Sequence, residues 1–289
     1  MRILSDRGRL RVVLGSWSLS TLALACEDQA KKSAEHAAAD VSFVADLVKK
    51  DVGEVERGLP EGALELRPLV AGGADPHQDI AGVRRSLQRI RRDVLDLAVA
   101  KSTFFALADP QGIAIRNDLE EDTMAGRNLF VSFPALAKAS SGWTTTTGAF
   151  PGASTADTPD ADWIAGAPVS RPDGAPGAIL VTGWSYRYFA RHLQESLTSH
   201  LLDENKQAGL GAKMPVFYVL LFDRKGAFGA PVTPSVDVQA TADLGLVDKT
   251  SAAPFQGTVP IADHEFGVAA RRTPDLAPET GVAVLRTEF

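Results

Sequence analysis

Phe104-Phe105-Ala106-Leu107-Ala108 runs into Asp109-Pro110-Gln111-Gly112 and continues as Ile113-Ala114-Ile115-Arg116. An apolar run entering Asp-Pro-x-Gly is a strand entering a type I turn: Asp caps the turn, Pro presets φ at its second position and Gly closes the fourth. The stretch predicts a β-hairpin. The same grammar returns where Trp163-Ile164-Ala165-Gly166-Ala167-Pro168-Val169 turns through Arg171-Pro172-Asp173-Gly174 into Gly177-Ala178-Ile179-Leu180-Val181-Thr182-Gly183-Trp184. Between the hairpins, residues 131–139 suit a short helix with Phe133, Leu136 and Ala137 facing inward and Pro134 in its first turn. Ser140-Ser141-Gly142 ends that helix, Thr144 to Gly148 has strand composition, and Ala153 to Asp162 reads as a loop. Two hairpins flanking a helical insert make one small lobe, residues 104–186.

Downstream, Tyr186-Arg187-Tyr188-Phe189 leads into a linker helix through Leu193, Leu197, Leu201 and Leu202, over residues 187–211. Val216-Phe217-Tyr218-Val219-Leu220-Leu221-Phe222 then enters Asp223-Arg224-Lys225-Gly226, repeating the first hairpin's grammar 114 positions later. Phe266 to Ala270 and Gly281 to Leu285 pair as a closing hairpin, so residues 212–289 read as a second, diverged lobe. Its loop from Thr233 to Gln256 is poor in aromatic residues, which favours the first lobe as the binding one.

Upstream, residues 27–103 read as a helical stalk. Val41, Val44, Val48, Val52 and Val55 share one helix face, and Gly58-Leu59-Pro60-Glu61-Gly62 is expected to stop that helix. Residues 71–76 make a second break, after which Ile80, Val83, Leu87, Ile90, Val94 and Leu97 form a seam expected to pack on the valine face. Arg84, Arg85, Arg89, Arg91 and Arg92 crowd the rest of that helix, either as a solvated face or as a contact for anionic headgroups or a partner.

Residues 1–26 read as a cleaved signal. Four arginines precede a largely apolar run of 14 residues from Val12 to Ala25, too short to span a bilayer core comfortably, which takes ~20. The ending Leu22-Ala23-Leu24-Ala25-Cys26 resembles a bacterial lipobox, which implies a lipidated Cys26 anchoring the chain to the membrane. The alternative is an ordinary secretory signal with a buried or trimmed cysteine. Either way the expected location is the cell envelope, facing the periplasm or exterior. Cys26 is the only cysteine, so no intramolecular disulfide and no cysteine metal site can form. The chain carries a net charge of −6, and without residues 1–26, which hold four Arg and one Asp, it carries −9. An acidic chain lacking a Lys/Arg-rich block is a poor nucleic-acid binder.

A long helix, then strand, Asp-x-x-Gly turn, strand, the Gly126-Arg127-Asn128-Leu129 segment, a short helix at Phe133-Pro134-Ala135-Leu136, and a hairpin closing on Gly177-Ala178-Ile179-Leu180-Val181 together resemble a Cache domain, the extracytoplasmic relative of the PAS fold. The expected class is α+β: N-terminal helices followed by two PAS-like antiparallel-sheet lobes, double Cache-like. The resemblance implies an input module that binds a small molecule, often an amino acid, carboxylate or amine, between the sheet and the layer covering it. Its amino-acid-binding subfamily carries Arg-x-Trp-Tyr before the short helix; here that region reads Asn128-Leu129-Phe130-Val131-Ser132-Phe133.

Trp163 and Trp184 on facing strands, with Phe130, Phe133 and Trp143 from the covering layer, are the candidate aromatic wall of a pocket, and Arg127 or Thr182 the polar groups that orient a ligand. The same aromatics could instead be a filled core, and Arg127 a surface residue beside Glu120 or Glu121. The five histidines, His36, His77, His192, His200 and His264, show no metal spacing, with His192 and His200 read as surface residues. No nucleophile elbow or phosphate loop is present, so neither catalysis nor a cofactor is expected. Two readings remain: a ligand-binding sensor lipoprotein that signals through an envelope protein partner, or a structural or adaptor lipoprotein without a ligand. An open cavity behind Trp163 and Trp184 favours the first, a packed one the second. A transport solute-binding protein fits less well, since hairpins do not predict hinged lobes with parallel sheets.

Overall fold

The structure, a computed structural model, describes residues 18–73, 75–151, 160–209 and 214–288. Most of the signal segment lies outside that range, as do the side chains of residues 18–28; the lipid-bearing role of Cys26 therefore falls outside the described residues.

Helix α1 (Ser18–Glu65) is the spine of the molecule. Ala30, Ala34, Ala37, Val41, Val44, Val48, Val52, Val55, Leu59, Ala63 and Leu66 recur at steps of three and four, and all are buried. The stripe is made mostly of Ala and Val, short side chains that let the helix axis lie close to whatever it covers. It covers both sheets, so residues 27–65 do not project as a stalk. Nor does the helix stop at Gly58-Leu59-Pro60-Glu61-Gly62. Pro60 is exposed, so the ring and the unmade hydrogen bond fall on the solvent side, where water serves the free carbonyl. The flanking glycines serve close packing: a Cβ at Gly58 or Gly62 would come within 2.9 or 2.8 Å of Leu97.

Two 3-10 segments, Arg67–Gly73 and Pro76–Gln78, lead to α2 (Ile80–Asp93), whose first turn is capped by Asp79 accepting from the Gly82 amide at 2.9 Å. After a kink at Val94 comes α3 (Leu95–Val99). Val83, Leu87, Ile90, Val94 and Leu97 are buried as the seam requires, while Ile80 stands 41% exposed. The seam's partner differs from the expected one. Helix α2 packs on β1 (Phe104–Ala108) and β2 (Ala114–Asn117), and the end of the seam meets α1 beyond the valines, which lie in the stripe covering the sheets: Leu97 of α3 at Gly58 and Gly62, and Ile90 of α2 at Gly62.

The first sheet is completed by β3 (Thr144–Gly148), β4 (Asp162–Ser170) and β5 (Pro176–Ser185), in the order β2-β1-β5-β4-β3, with α4 (Leu129–Ser132) and a 3-10 segment, Pro134–Ser140, on its outer face. Phe133, Leu136 and Ala139 point inward; Ala137 is exposed. Helix α5 (Tyr186–Gln207) leads to the second sheet, β6 (Val216–Asp223), β7 (Gly226–Gly229), β8 (Phe255–Ile261), β9 (His264–Arg272) and β10 (Gly281–Thr287), in the order β7-β6-β10-β9-β8. Strand for strand this is the order of the first sheet, and every pairing is antiparallel. The turn chemistry is duplicated as well: Asp109 Oδ1 accepts from the amides of Gln111 and Ile113, and Asp223 Oδ1 from that of Lys225.

The stretch Thr233 to Gln256 is not a loop. It holds α6 (Ser235–Asp243) and α7 (Leu246–Lys249) and enters β8. Alternate residues of each sheet face two cores: Phe105, Leu107, Trp163, Leu180, Val219 and Val284 face the helices in one continuous cluster that includes the α1 stripe. Phe104, Ala106, Ile164, Ile179 and Val181 face the α4 layer of the first lobe, and Leu220, Val268 and Leu285 lie in a separate cluster of the second.

Candidate functional site

Asn128 starts the layer over the first sheet by accepting from the Phe130 amide at 2.9 Å, which caps α4 and turns the chain down onto the strands. Phe133 is fully buried there and meets Phe150 edge to face at 5.0 Å. The fit is close enough to demand glycine beneath: a Cβ at Gly148 would stand 2.4 Å from the Ser132 carbonyl, and one at Gly166 2.7 Å from Ala139.

The seven residues expected to line a pocket do not converge. Trp163 and Trp184 are directly opposite in register and stacked at 4.3 Å, with Phe189 of α5 continuing the stack at 4.4 Å. Both are fully buried on the helix side of the sheet, and neither indole N–H has a hydrogen-bond partner. Thr182, two residues from Trp184 along β5, is buried and donates to the Phe104 carbonyl at 2.6 Å. Trp143 is half-buried against the same helix-side core. Phe133 lies in the core on the opposite face, where Phe130 sits over the Asp109–Gly112 turn. Arg127 is exposed. The sheet itself separates the tryptophans from the phenylalanines.

What the covering face does present is Asp162. It opens β4 in register with Gly148 and Ser185, which puts its side chain on the Phe133 side. The residue is 8% exposed, and Oδ2 accepts from the Phe150 amide at 3.1 Å. Burial, aided by the nearby charge of Asp160, raises its pKa to about 6 against the single opposing amide. Asp160 is also raised by burial, although the amides of Arg187 and Ala161 bond to it. Phe104 meets Phe150 edge to face at 6.4 Å, so the carboxyl stands at the rim of a three-ring apolar cluster. Residues 152–159, which join this rim to the preceding strand, lie outside the described residues. Read from the sequence, Asp162 falls at the end of the loop from Ala153, and the one signal for it is a charge abutting the apolar run Trp163-Ile164-Ala165. Nothing local shows that the strand's first residue would be covered.

Next to it, Tyr186 connects the lobes: its hydroxyl is 3.3 Å from the Thr280 hydroxyl and its ring meets Phe228 edge to face at 5.1 Å. Burial holds that phenol protonated well above its usual range. His192 is not a surface residue, since its Nε2 lies 3.0 Å from Oδ2 of the fully buried Asp51 and pins α5 to α1. His200 stacks on Phe43 at 4.1 Å. Two further clefts lie beside the hairpin turns: about 550 Å³ bordered by Asp75, His77, Asp109, Arg171 and Asp173, and about 310 Å³ bordered by Asp223, Arg224, Lys225 and Asp248. Both mix charge signs. Among the described residues no cluster of His, Cys, Asp and Glu could hold a metal, and no helix is long and apolar enough to cross a membrane.

No protein-family model matches the chain, and no curated protein matches it in sequence. Solved structures match it in fold. The extracellular domain of vpHK1S-Z8, a protein assigned as a histidine kinase, superposes with a TM-score of 0.57 at 11% identity, over 90% of this chain and 93% of that one. The ligand-binding domain of the Campylobacter jejuni chemoreceptor Tlp3, solved with 4-methylisoleucine, gives 0.52 at 11% identity over 90% and 92%. An extracellular ligand-binding receptor from Desulfohalobium retbaense gives 0.52 at 11% identity, covering 86% of this chain but only 39% of that one. A long N-terminal helix followed by two five-stranded antiparallel sheets is the fold of double Cache sensor domains, and this chain has it.

Proposed function

We propose that this protein is an extracytoplasmic sensor module that takes a small molecule bearing an amine in its first lobe, with Asp162 as the polar anchor. A ligand's effect passes to a separate envelope protein; the chain binds and does not catalyse. The observation that carries this reading is the buried carboxyl itself. Asp162 is nearly excluded from water and receives one hydrogen bond, so ionising it is costly unless a cation arrives to pair with it. An ammonium group supplies that cation, and the Phe104, Phe133 and Phe150 rings supply an apolar surface for its substituent. The same fold in Tlp3 is described with an amino acid bound, in line with an amine ligand.

A screen of the mature chain by thermal shift against amines, amino acids and carboxylates tests it. An amine at a hundredfold excess over its dissociation constant should stabilise by ~2.7 kcal/mol, a rise of several degrees. The rise should vanish in Asp162→Asn. A carboxylate hit indifferent to Asp162→Asn would put the site elsewhere.

A second reading has its own support. The Trp163, Trp184 and Phe189 stack and the glycine-limited contacts at Gly148 and Gly166 fill both faces of the first sheet. That packing suits an adaptor that holds a partner and binds no ligand, and a flat screen would favour it. Membrane attachment through a lipid on Cys26 belongs to both readings, supported by the signal-like run that ends on the lone cysteine. Cys26→Ser should move the protein from the membrane to the soluble fraction; unchanged membrane association would rule the anchor out.

A further inference from the structure

Five arginines line helix α2, and the structure divides them. Arg91 pairs with Asp118 and donates to the Ser102 carbonyl at 2.9 Å, and Arg92 pairs with its neighbour Asp93 at 2.7 Å. Arg84, Arg85 and Arg89 form no ion pair with a carboxylate among the described residues, although the charge of Arg89 acts on Asp93, on a chain with 36 Asp and Glu against 30 Lys and Arg. Two of the three share a concavity. Arg84 and Arg85 border a groove of about 440 Å³ with Ile80, Ala81, Gln88 and, from the edge strand β2, Arg116. No acidic side chain borders it.

Arg116 is a fixed wall. Its Nη1 lies 3.0 Å from Asp122, and Nη2 donates to the carbonyls of Leu119 and Glu120 at 2.8 and 3.1 Å. That charge is matched, which leaves the groove two unmatched positive charges. Arg84 adds a second observation: its Nε is buried and has no hydrogen-bond partner. A guanidinium N–H taken from water without an acceptor is costly, so Arg84 holds unused hydrogen-bonding capacity beside the groove.

We propose that this groove is a binding site for an oxyanion, a phosphate group held by Arg84 and Arg85 against the wall made by Arg116. Two guanidinium forks match the oxygens of a phosphate bidentately, which a lysine pair could not do. The phosphate can belong to a small soluble molecule or to a lipid headgroup. Position favours the soluble source. Groove and α2 belong to the first lobe, whereas the N-terminal part of α1 lies on the second sheet at Gly267, and this helix of 48 residues is about 72 Å long. The site is separate from Asp162, so either can fail without the other.

The test uses the whole chain in two arms at constant ionic strength, so that screening does not imitate release. Inorganic phosphate is titrated calorimetrically, and the chain is co-sedimented with phosphatidylglycerol–phosphatidylcholine vesicles. Saturable phosphate binding with a dissociation constant of about 1 mM or tighter is expected. Arg84→Ala and Arg85→Ala should each weaken it by about tenfold or more, and Arg89→Ala, on the same helix outside the groove, should not. Arg85 is exposed, so its variant reads the site even if Arg84→Ala perturbs folding. Vesicle binding that depends on Arg84 and Arg85, without binding of free phosphate, identifies a headgroup as the source. No saturable binding in either arm, or an equal loss from Arg89→Ala, overturns the proposal.

Discussion

Asp162 carries the sharpest consequence at the scale of single residues. Its pKa is raised from 3.8 to about 6 in the folded chain, so the folded state holds the proton more tightly than the unfolded one. The stabilisation this gives is complete below the unfolded value near 3.8 and is lost as pH rises through about 6, where the buried carboxyl must ionise. Two pKa units correspond to about 3 kcal/mol at most. Asp162→Asn keeps an oxygen for the Phe150 amide and never ionises. It should therefore be more stable than the parent at pH 8 by about 1–3 kcal/mol, with the gap closing by pH 4. Urea melts at the two pH values decide it; a gap independent of pH would mean that the carboxyl is not buried as an acid. Binding of an amine should weaken below pH 6 for the same reason, since a protonated Asp162 offers no counter-charge. Residues of this kind are hard to read in a sequence. The turn aspartates Asp109 and Asp223 were legible because their partners are two to four residues away, whereas the partners of Asp51 and Asp40, His192 and Arg286, lie 141 and 246 residues off.

At the scale of elements, the interface between α1 and the second sheet depends on a single missing side chain. A Cβ at Gly267 of β9 would stand 2.1 Å from the Ala34 amide nitrogen and 2.3 Å from the Ser33 carbonyl carbon, both backbone atoms of α1. Backbone cannot rotate aside as a side chain can. Gly267→Ala should lift the helix and cost about 1–3 kcal/mol, whereas Gly142→Ala, with nothing within 4 Å, should cost little. Equal denaturation midpoints for the two variants would disprove the close approach. Local patterns read the hairpins well and misread α1, because whether Pro60 breaks a helix depends on which side of it meets water. They also missed β8, whose alternation of Phe255, Gly257, Val259 and Ile261 with Gln256, Thr258 and Pro260 is plain once the strand is known to be an edge, the place where proline costs no ladder bond.

Over the whole molecule, the two lobes share one core. The helix-side cluster runs from Trp163 and Leu180 of the first sheet, through the α1 stripe and α5, to Val219 and Val284 of the second. Lobes joined in this way should unfold together: calorimetry should show a single transition, and two resolved transitions would mean that each lobe is stable alone. What the sequence determined by itself was everything set within a few residues or by simple repetition: the Asp-x-x-Gly hairpins, the seam of α2, the repeat 114 positions apart, and from their order the double Cache-like class. What only the tertiary structure decided was which face each strand turns to which layer. Trp163 and Phe133 looked like one wall in the chain and stand on opposite sides of a sheet, and Asp162 looked like the end of a loop and is buried. Side-chain direction in a strand alternates with every residue, but the layer covering each face is supplied by segments far away in sequence, so their meeting is settled only when the lobes pack.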